Sequence, residues 1–271
     1  MPSLVASAKG GITAVATEIA VANLRATGCV SAMRSIFRLV ALTLFVGLGL
    51  HAEGQTRPQF RPAVLGSGPD SLINQIDTEA LLKKGQKDGA IMFCAQLDKT
   101  GAVTAAWTYR GTAGTEELSD ELLARLEHAK FPPAIYEHQP VGVLLFASVM
   151  FSAENRPHIK MFLNQDGREL KQESDFVGPQ PVIGTDSKFT GLHVPPQENP
   201  VLVNGIVDLG LKIDAKGNLK EMLLLSEDPP LLGFAQAAQS DLEGAKFIPA
   251  FRSGEPEDSD TALPLCYKLR P

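Results

Sequence analysis

LEHAKFPPA, Leu126–Ala134, returns as LEGAKFIPA, Leu242–Ala250, with seven of the nine residues unchanged at an offset of 116. The offset holds on both sides without a gap. Asp98 and Gly101 of LDKTGAV fall on Asp214 and Gly217 of IDAKGNL, and Leu118, Leu122 and Leu126 fall on Phe234, Ala238 and Leu242. Val149 and Phe151 fall on Leu265 and Tyr267. A period kept over that distance predicts one structural unit written twice.

Each copy carries the same order of signals. AIMFCAQLD alternates Ile91, Phe93, Ala95 and Leu97, and IVDLGLKID alternates Val207, Leu209, Leu211 and Ile213, the period of a strand. D-x-x-G follows, with Gly101 and Gly217 free to take the positive φ of a hairpin turn. A second strand comes next, VTAAWTYR or LKEMLLLS. Then a helix is predicted. In the first copy Glu116 and Glu117 favour its start and Leu118, Leu122 and Leu126 line one face. In the second, Asp228 is expected to cap, Pro229 to open the helix, and Leu231, Phe234, Ala238 and Leu242 to line the face. The repeated phrase closes the helix: Phe131 and Phe247 anchor its end, and Pro133 and Pro249 stop it. VGVLLFASVMF or TALPLCYKL supplies the last strand, so the unit reads β-β-α-β.

The chain has 271 residues, and the first fifty do not share this pattern. Met33-Arg34-Ser35-Ile36-Phe37-Arg38 and then LVALTLFVGLGL give a basic start and a short apolar run, with small residues for cleavage near Ala52 or Gly54. Residues 33–54 are therefore expected to be a signal peptide, with 1–32 a non-native extension if translation begins at Met33. The other reading is a retained membrane anchor, although the run is shorter than the roughly 20 apolar residues a span needs. Residues 1–52 hold four Lys or Arg and one acidic residue of the chain's 25 and 31, leaving 21 against 30, a net of −9. Nucleic acid and anionic lipid are poor partners for such a surface.

Residues 55–76 are predicted to be a flexible lead-in, and the first copy, 77–152, to open with DTEALLKKG as a short helix leading into its first strand. Residues 153–199 are predicted to connect the copies, with HIKMFLNQDGREL a strand or a hairpin turning at Asp166-Gly167 and then an extended Gly/Pro-rich linker. The second copy spans 200–271. Of three cysteines, Cys94 and Cys266 fall one in each copy, on the strand face opposite the helix. They read as two half-buried free thiols, or as a disulfide if those faces meet.

GIVDLGLKIDAKGNL, a helix, AKFIPA and LPLCYKL together resemble the C-terminal domain family of TonB, well over 200–270 and more loosely over 77–152. The resemblance implies an α+β fold of two tandem units, each a three-stranded antiparallel sheet with one helix packed on a face. It also implies a periplasmic module that holds protein segments, such as those of an outer-membrane transporter.

No catalytic or metal constellation stands out. His51, His128, His138, His158 and His193 form no ligand spacing, and there is no G-x-S-x-G. No cofactor is implied. Glu127 and Glu243, and Lys130 and Lys246, recur as solvated or dipole-matched helix residues, and Trp107 reads as a core or hairpin residue. The last strand of the first copy is apolar on both faces (Leu144, Phe146 and Met150 behind Val143 and Leu145), which predicts cover on both sides. The second copy carries Asp208, Lys212 and Lys268 on its off-face, open to water. Pro264 suits an edge strand.

The expected function is a non-enzymatic periplasmic module that binds a partner segment by strand addition along Thr261, Ala262, Leu263, Pro264, Leu265, Cys266, Tyr267, Lys268 and Leu269. Two alternatives are a TonB-like energy transducer anchored in the inner membrane and a self-associating structural protein of the envelope.

Overall fold

The computed structural model describes residues 57–172, 174–184, 186–196 and 203–268. The N-terminal extension with Cys29, the signal segment with His51, and Leu269 lie outside the described residues. The copies and the connector between them form one compact unit from Gln55 onward.

The lead-in forms α1 (Leu72–Gln75), and the first copy opens with α2 (Thr78–Lys83), capped by the Asp77 side chain on Ala80 N. Strands β2 (Gly89–Leu97) and β3 (Val103–Gly111) pair around the Asp98 turn, and α3 (Glu116–Leu126) follows. Leu118, Leu122 and Leu126 are fully buried on its inner face. The first turn of α3 is closed from a distance: Gln86 Oε1 accepts Leu118 N at 2.9 Å. β4 (Ala134–Tyr136) turns directly into β5 (Gln139–Ser152), the longest strand.

The repeated phrase makes the same connection in both copies. At the turns, Asp98 Oδ1 accepts Thr100 N at 2.7 Å, and Asp214 Oδ1 accepts Lys216 N at 3.0 Å. Gly101 and Gly217 sit at φ +82° and +76°. Phe131 N then donates to Gly101 O at 2.8 Å and Phe247 N to Gly217 O at 3.0 Å. The phrase thus docks the chain leaving each helix onto the hairpin turn that preceded it. Both phenylalanine rings are buried; Pro133 is half-buried and Pro249 buried.

The wider architecture corrects the expected α+β pair of three-stranded units. The described residues are mainly β, 43% strand against 18% helix, with a large antiparallel sheet nearly closed into a barrel. That sheet has eight strands. Its main path runs from β1 (Phe60–Arg61) through β4, β5 and β2 to β3. β6 (His158–Leu163) and β7 (Gln180–Ile183) also pair with β5, and β10 (Phe247–Ile248) pairs with β7. The reason lies in β5. It is apolar on both faces and fourteen residues long, so β2 alone leaves one whole flank of its backbone unpaired. Connector residues fill that flank, and the second copy's phrase joins through β7. α2 is the short helix expected from DTEALLKKG, whereas α1 in the lead-in and α4 (Gly167–Gln172) in the connector are helices outside the two repeats.

The second copy adds β8 (Gly205–Ile213), β9 (Leu219–Asp228), α5 (Phe234–Leu242) and β13 (Ser259–Tyr267); its sheet runs β13-β8-β9. A separate hairpin is formed by β11 (Ala250–Arg252) and β12 (Glu255–Glu257). One core lies between α3 and the large sheet, built on Phe93, Leu97, Val143, Leu145 and Leu122. A second gathers the opposite face of the same sheet (Cys94, Trp107, Leu144, Phe146) with Val207, Leu209, Phe234, Leu242 and Leu265. β5 is therefore covered on both sides through Ser148, while Met150 near its end is 47% exposed; each fully buried Leu or Phe contributes about 1.5–3 kcal/mol.

Four local expectations change. The second helix does not start at Asp228 and Pro229. β9 continues to Asp228, α5 begins at Phe234 behind Gly233, and Leu231 is 93% exposed. Glu227 takes the capping role instead, accepting Leu231 N at 3.1 Å and Ala235 N at 3.2 Å. The lead-in is packed: Phe60 and Ala63 are buried, and Ala63 exchanges two 2.8 Å bonds with the Gln180 amide. No hairpin forms at Asp166-Gly167, because Asp166 Oδ1 accepts Arg168 N and Glu169 N and starts α4. The Gly/Pro-rich linker holds β7 and buries Phe176 and Phe189.

Candidate partner-binding edges

The three-stranded sheet ends in two strands, each paired on one side only. β13, the strand expected to receive a partner, pairs with β8 from Ser259↔Ile213 to Tyr267↔Gly205. Pro264 stands opposite Asp208, where its missing N–H is tolerated. Thr261, Leu263, Leu265 and Tyr267 face α5 and are all buried; the Tyr267 ring lies 5.6 Å from that of Phe234. Ala262, Pro264 and Cys266 face the large sheet.

The outer rim of β13 is walled. Met92, Phe146, Ser148, Asn164 and Pro179 form a narrow crevice with Thr261–Pro264, and the Arg168 guanidinium donates to Asp260 O. Lys268 is exposed beyond the strand's end. An incoming strand along 261–264 would have to displace the side chains of β5 and of the connector.

β9 is open. Leu223, Leu224 and Leu225 are 65%, 39% and 52% exposed. The register with β8 slips between Asp208 and Leu209, pairing Asp208 with Ser226 but Leu209 with Leu224, so Leu225 is bulged out. Leu225 swings over Gly210, where a β-carbon would meet its Cδ2 at 3.4 Å. Leu223 and Leu225 thus lie side by side on the face away from α5, with Leu224 on the helix side. Their border is polar: Lys212 Nζ meets Glu221 at 2.7 Å, and Ser226 Oγ donates to Asp208 at 2.6 Å. The sequence signal for this patch was MLLLS, since three leucines in a row cannot all face one core from a strand.

The off-face of the small sheet is not simply open to water as expected. Arg110 of β3 reaches it with a forked pair of bonds, Nη1 to Asp208 Oδ1 at 2.9 Å and Nη2 to Oδ2 at 2.8 Å. Burial opposes ionisation of Asp208, yet the bonds from Arg110 and Ser226 outweigh it and hold its carboxyl below the usual range. Cys94 and Cys266 are free thiols, 0% and 4% exposed. They are thus more deeply buried than expected. Trp107 is buried beside them.

A cluster of polar side chains lies where the connector meets α5. Asp241, its side chain 5% exposed, accepts His193 N at 2.9 Å, His193 Nδ1 at 2.7 Å and the Tyr267 hydroxyl at 3.0 Å. Burial first, then the nearby Asp241, pushes the Tyr267 phenol far above its ordinary value. The pair borders a groove of about 900 Å³ lined by Pro195, Pro196, Leu231 and Gln236. Every Asp241 oxygen is already engaged, which makes this a tie between connector and helix. Among the described residues no group of three or more His, Cys, Asp or Glu is placed to hold a metal, and no helix is long and apolar enough to cross a membrane. His128, Glu127, Glu243 and Lys130 are exposed, while Lys246 Nζ donates to Asn218 at 3.0 Å.

Comparison of the chain with known protein families, with characterised proteins and with solved structures returned no match.

Proposed function

We propose that this protein is a non-enzymatic interaction module of the periplasm that captures an extended segment of a partner protein by strand addition. The edge that receives it is β9, and the observation that carries this reading is the run Leu223-Leu224-Leu225 exposed on a strand with one unpaired flank. The resemblance of residues 200–270 to the TonB C-terminal domain supports the same mode of binding. The basic-then-apolar segment at 34–52 supports export.

The occupant is argued from charge. Glu221, Glu227 and Asp228 flank the leucines against Lys220 on the same strand and Lys212 on β8, which pairs with Glu221; three acids against two lysines leave the rim at a net of −1, so the best fit is an apolar segment with Lys or Arg at its ends. A second copy fits less well. A two-fold axis at Leu224 would set Met222, which faces α5, against Ser226, which faces away, because the bulge shifts the register between them.

Four or five backbone bonds at roughly 1 kcal/mol each give about millimolar affinity. Covering the two outward leucines adds about 1 kcal/mol apiece, for a Kd in the tens of micromolar. The test is fluorescence anisotropy with a labelled ten-residue peptide of alternating Val and Thr between terminal lysines. Saturable binding that is lost in Leu223→Glu/Leu225→Glu and kept in Pro264→Thr supports the β9 site. Binding unchanged by the double glutamate variant, or no binding to the parent, refutes it. Light scattering on the same samples separates peptide capture from pairing of two copies.

A further inference from the structure

Cys94 and Cys266 are 172 positions apart and belong to different sheets, yet both side chains enter the same buried cluster. Their strands explain it. Cys94 alternates with Phe93 and Ala95, which face α3, and so points to the other side of the large sheet. Cys266 alternates with Leu265 and Tyr267, which face α5, and so points away from its own helix. The two helix-free faces meet, and one thiol from each lies in the seam. Trp107 stands directly opposite Cys94 in the β2–β3 ladder and also lies against Cys266. Its buried Nε1 makes no regular hydrogen bond and has the Cys266 sulfur beside it, and the hydroxyl of Tyr109 in the same seam is buried without a partner. Two packed sheets are joined in just this manner in immunoglobulin domains, where a buried tryptophan packs on an inter-sheet disulfide.

We propose that Cys94 and Cys266 form a redox clasp, a disulfide made in an oxidising compartment that ties β2 of the large sheet to β13 of the small one. The co-reactant is a disulfide oxidant such as glutathione disulfide or an oxidised thiol oxidoreductase. One cysteine thiolate attacks the oxidant, expelling the first thiol and leaving a mixed disulfide; the other then attacks the protein sulfur of that bond. The Sγ–Sγ bond forms, the oxidant's S–S bond breaks, and two electrons and two protons leave with the two released thiols. Burial raises both cysteine pKa values, for Cys94 with the nearby Cys266 adding to it. The folded, reduced thiols are therefore poor nucleophiles, and the bond is made as the chain folds or when edge strand β13 opens.

The full chain with Cys29→Ser is unfolded in urea and then either refolded or held in urea, in the same graded glutathione buffers. Each sample is alkylated under denaturing conditions and digested. The expected result is a Cys94–Cys266 linked peptide formed at least about 100-fold more favourably in the refolded sample than in urea. Fluorescence of Trp107, the chain's single tryptophan, is expected to be quenched on oxidation, restored by dithiothreitol, and redox-insensitive in Cys94→Ala and Cys266→Ala. Full alkylation of both cysteines after oxidative refolding, glutathione adducts in place of the linked peptide, or equal linkage with and without urea would each overturn the clasp.

Discussion

The carbonyl oxygen of Phe247 occupies the space a side chain on Gly217 would need: a β-carbon there would lie 1.9 Å from it. Gly101 and Phe131 stand in the same relation, again at 1.9 Å. In both copies the close approach coincides with positive φ, so only glycine lets the phrase dock on its turn. Gly217→Ala and Gly101→Ala are each expected to cost about 2–4 kcal/mol, combining αL strain with the clash. Urea denaturation measures this. A loss below about 1 kcal/mol would mean that the phrase moves away cheaply.

The forked Arg110–Asp208 pair crosses from the large sheet to the small one. Their side chains are 41% and 21% exposed, so solvent screening reduces its worth. Asp208→Ala is expected to destabilise by about 1–2 kcal/mol, with a double-mutant cycle against Arg110→Met returning a coupling near 1 kcal/mol. Zero coupling would show that the sheets are held by apolar packing alone.

Acid should weaken the fold through a few defined carboxylates. Asp208 is held low despite burial; hydrogen bonds from Arg252 hold Glu169 low, and one from Thr100 holds Asp98 low. A carboxyl with a lowered folded pKa stabilises above its unfolded value, about 3.9–4.3, and loses that contribution as pH falls through the folded value. The urea midpoint should therefore drop as pH is taken from about 5 toward 2. Asp208→Asn should show a shallower drop; an unchanged acid limb would remove Asp208 from the set.

Leu223 and Leu225 support no core, so Leu223→Glu/Leu225→Glu should leave stability within about 0.5–1 kcal/mol of the parent. Circular-dichroism melts check this beside the anisotropy assay. A large loss of stability would recast the patch as structural and undermine the proposed edge.

Tyr267→Phe removes one of the three donors to the buried Asp241 carboxylate. The expected cost is about 1–3 kcal/mol at neutral pH, read from thermal unfolding. A neutral result would show that the two His193 bonds satisfy the carboxylate by themselves.

Much of the local structure was legible in residues. The alternation at Ile91–Leu97 and Val207–Ile213, the stripe Leu118, Leu122 and Leu126, and the two D-x-x-G turns are all local signals, and each element forms where its pattern lies. The second helix departs from its local pattern, in which Asp228-Pro229 looks like a cap and first turn. Glu227 on the preceding strand meets those backbone donors instead, a choice made by the direction of β9. The β9 patch could have been found from MLLLS, whose three leucines break the strand period.

By itself the sequence determined the repeat, the turns that require glycine, and which faces of each strand are apolar, because these depend on neighbours a few residues apart. It also showed that β5 needs cover on both sides. Tertiary structure alone decided what provides that cover. Connector strands complete the flank of β5, the faces bearing Cys94 and Cys266 meet, and the rim of β13 is walled while that of β9 stays open. Those outcomes rest on pairings between residues tens to more than a hundred positions apart, which a local pattern can demand but cannot assign.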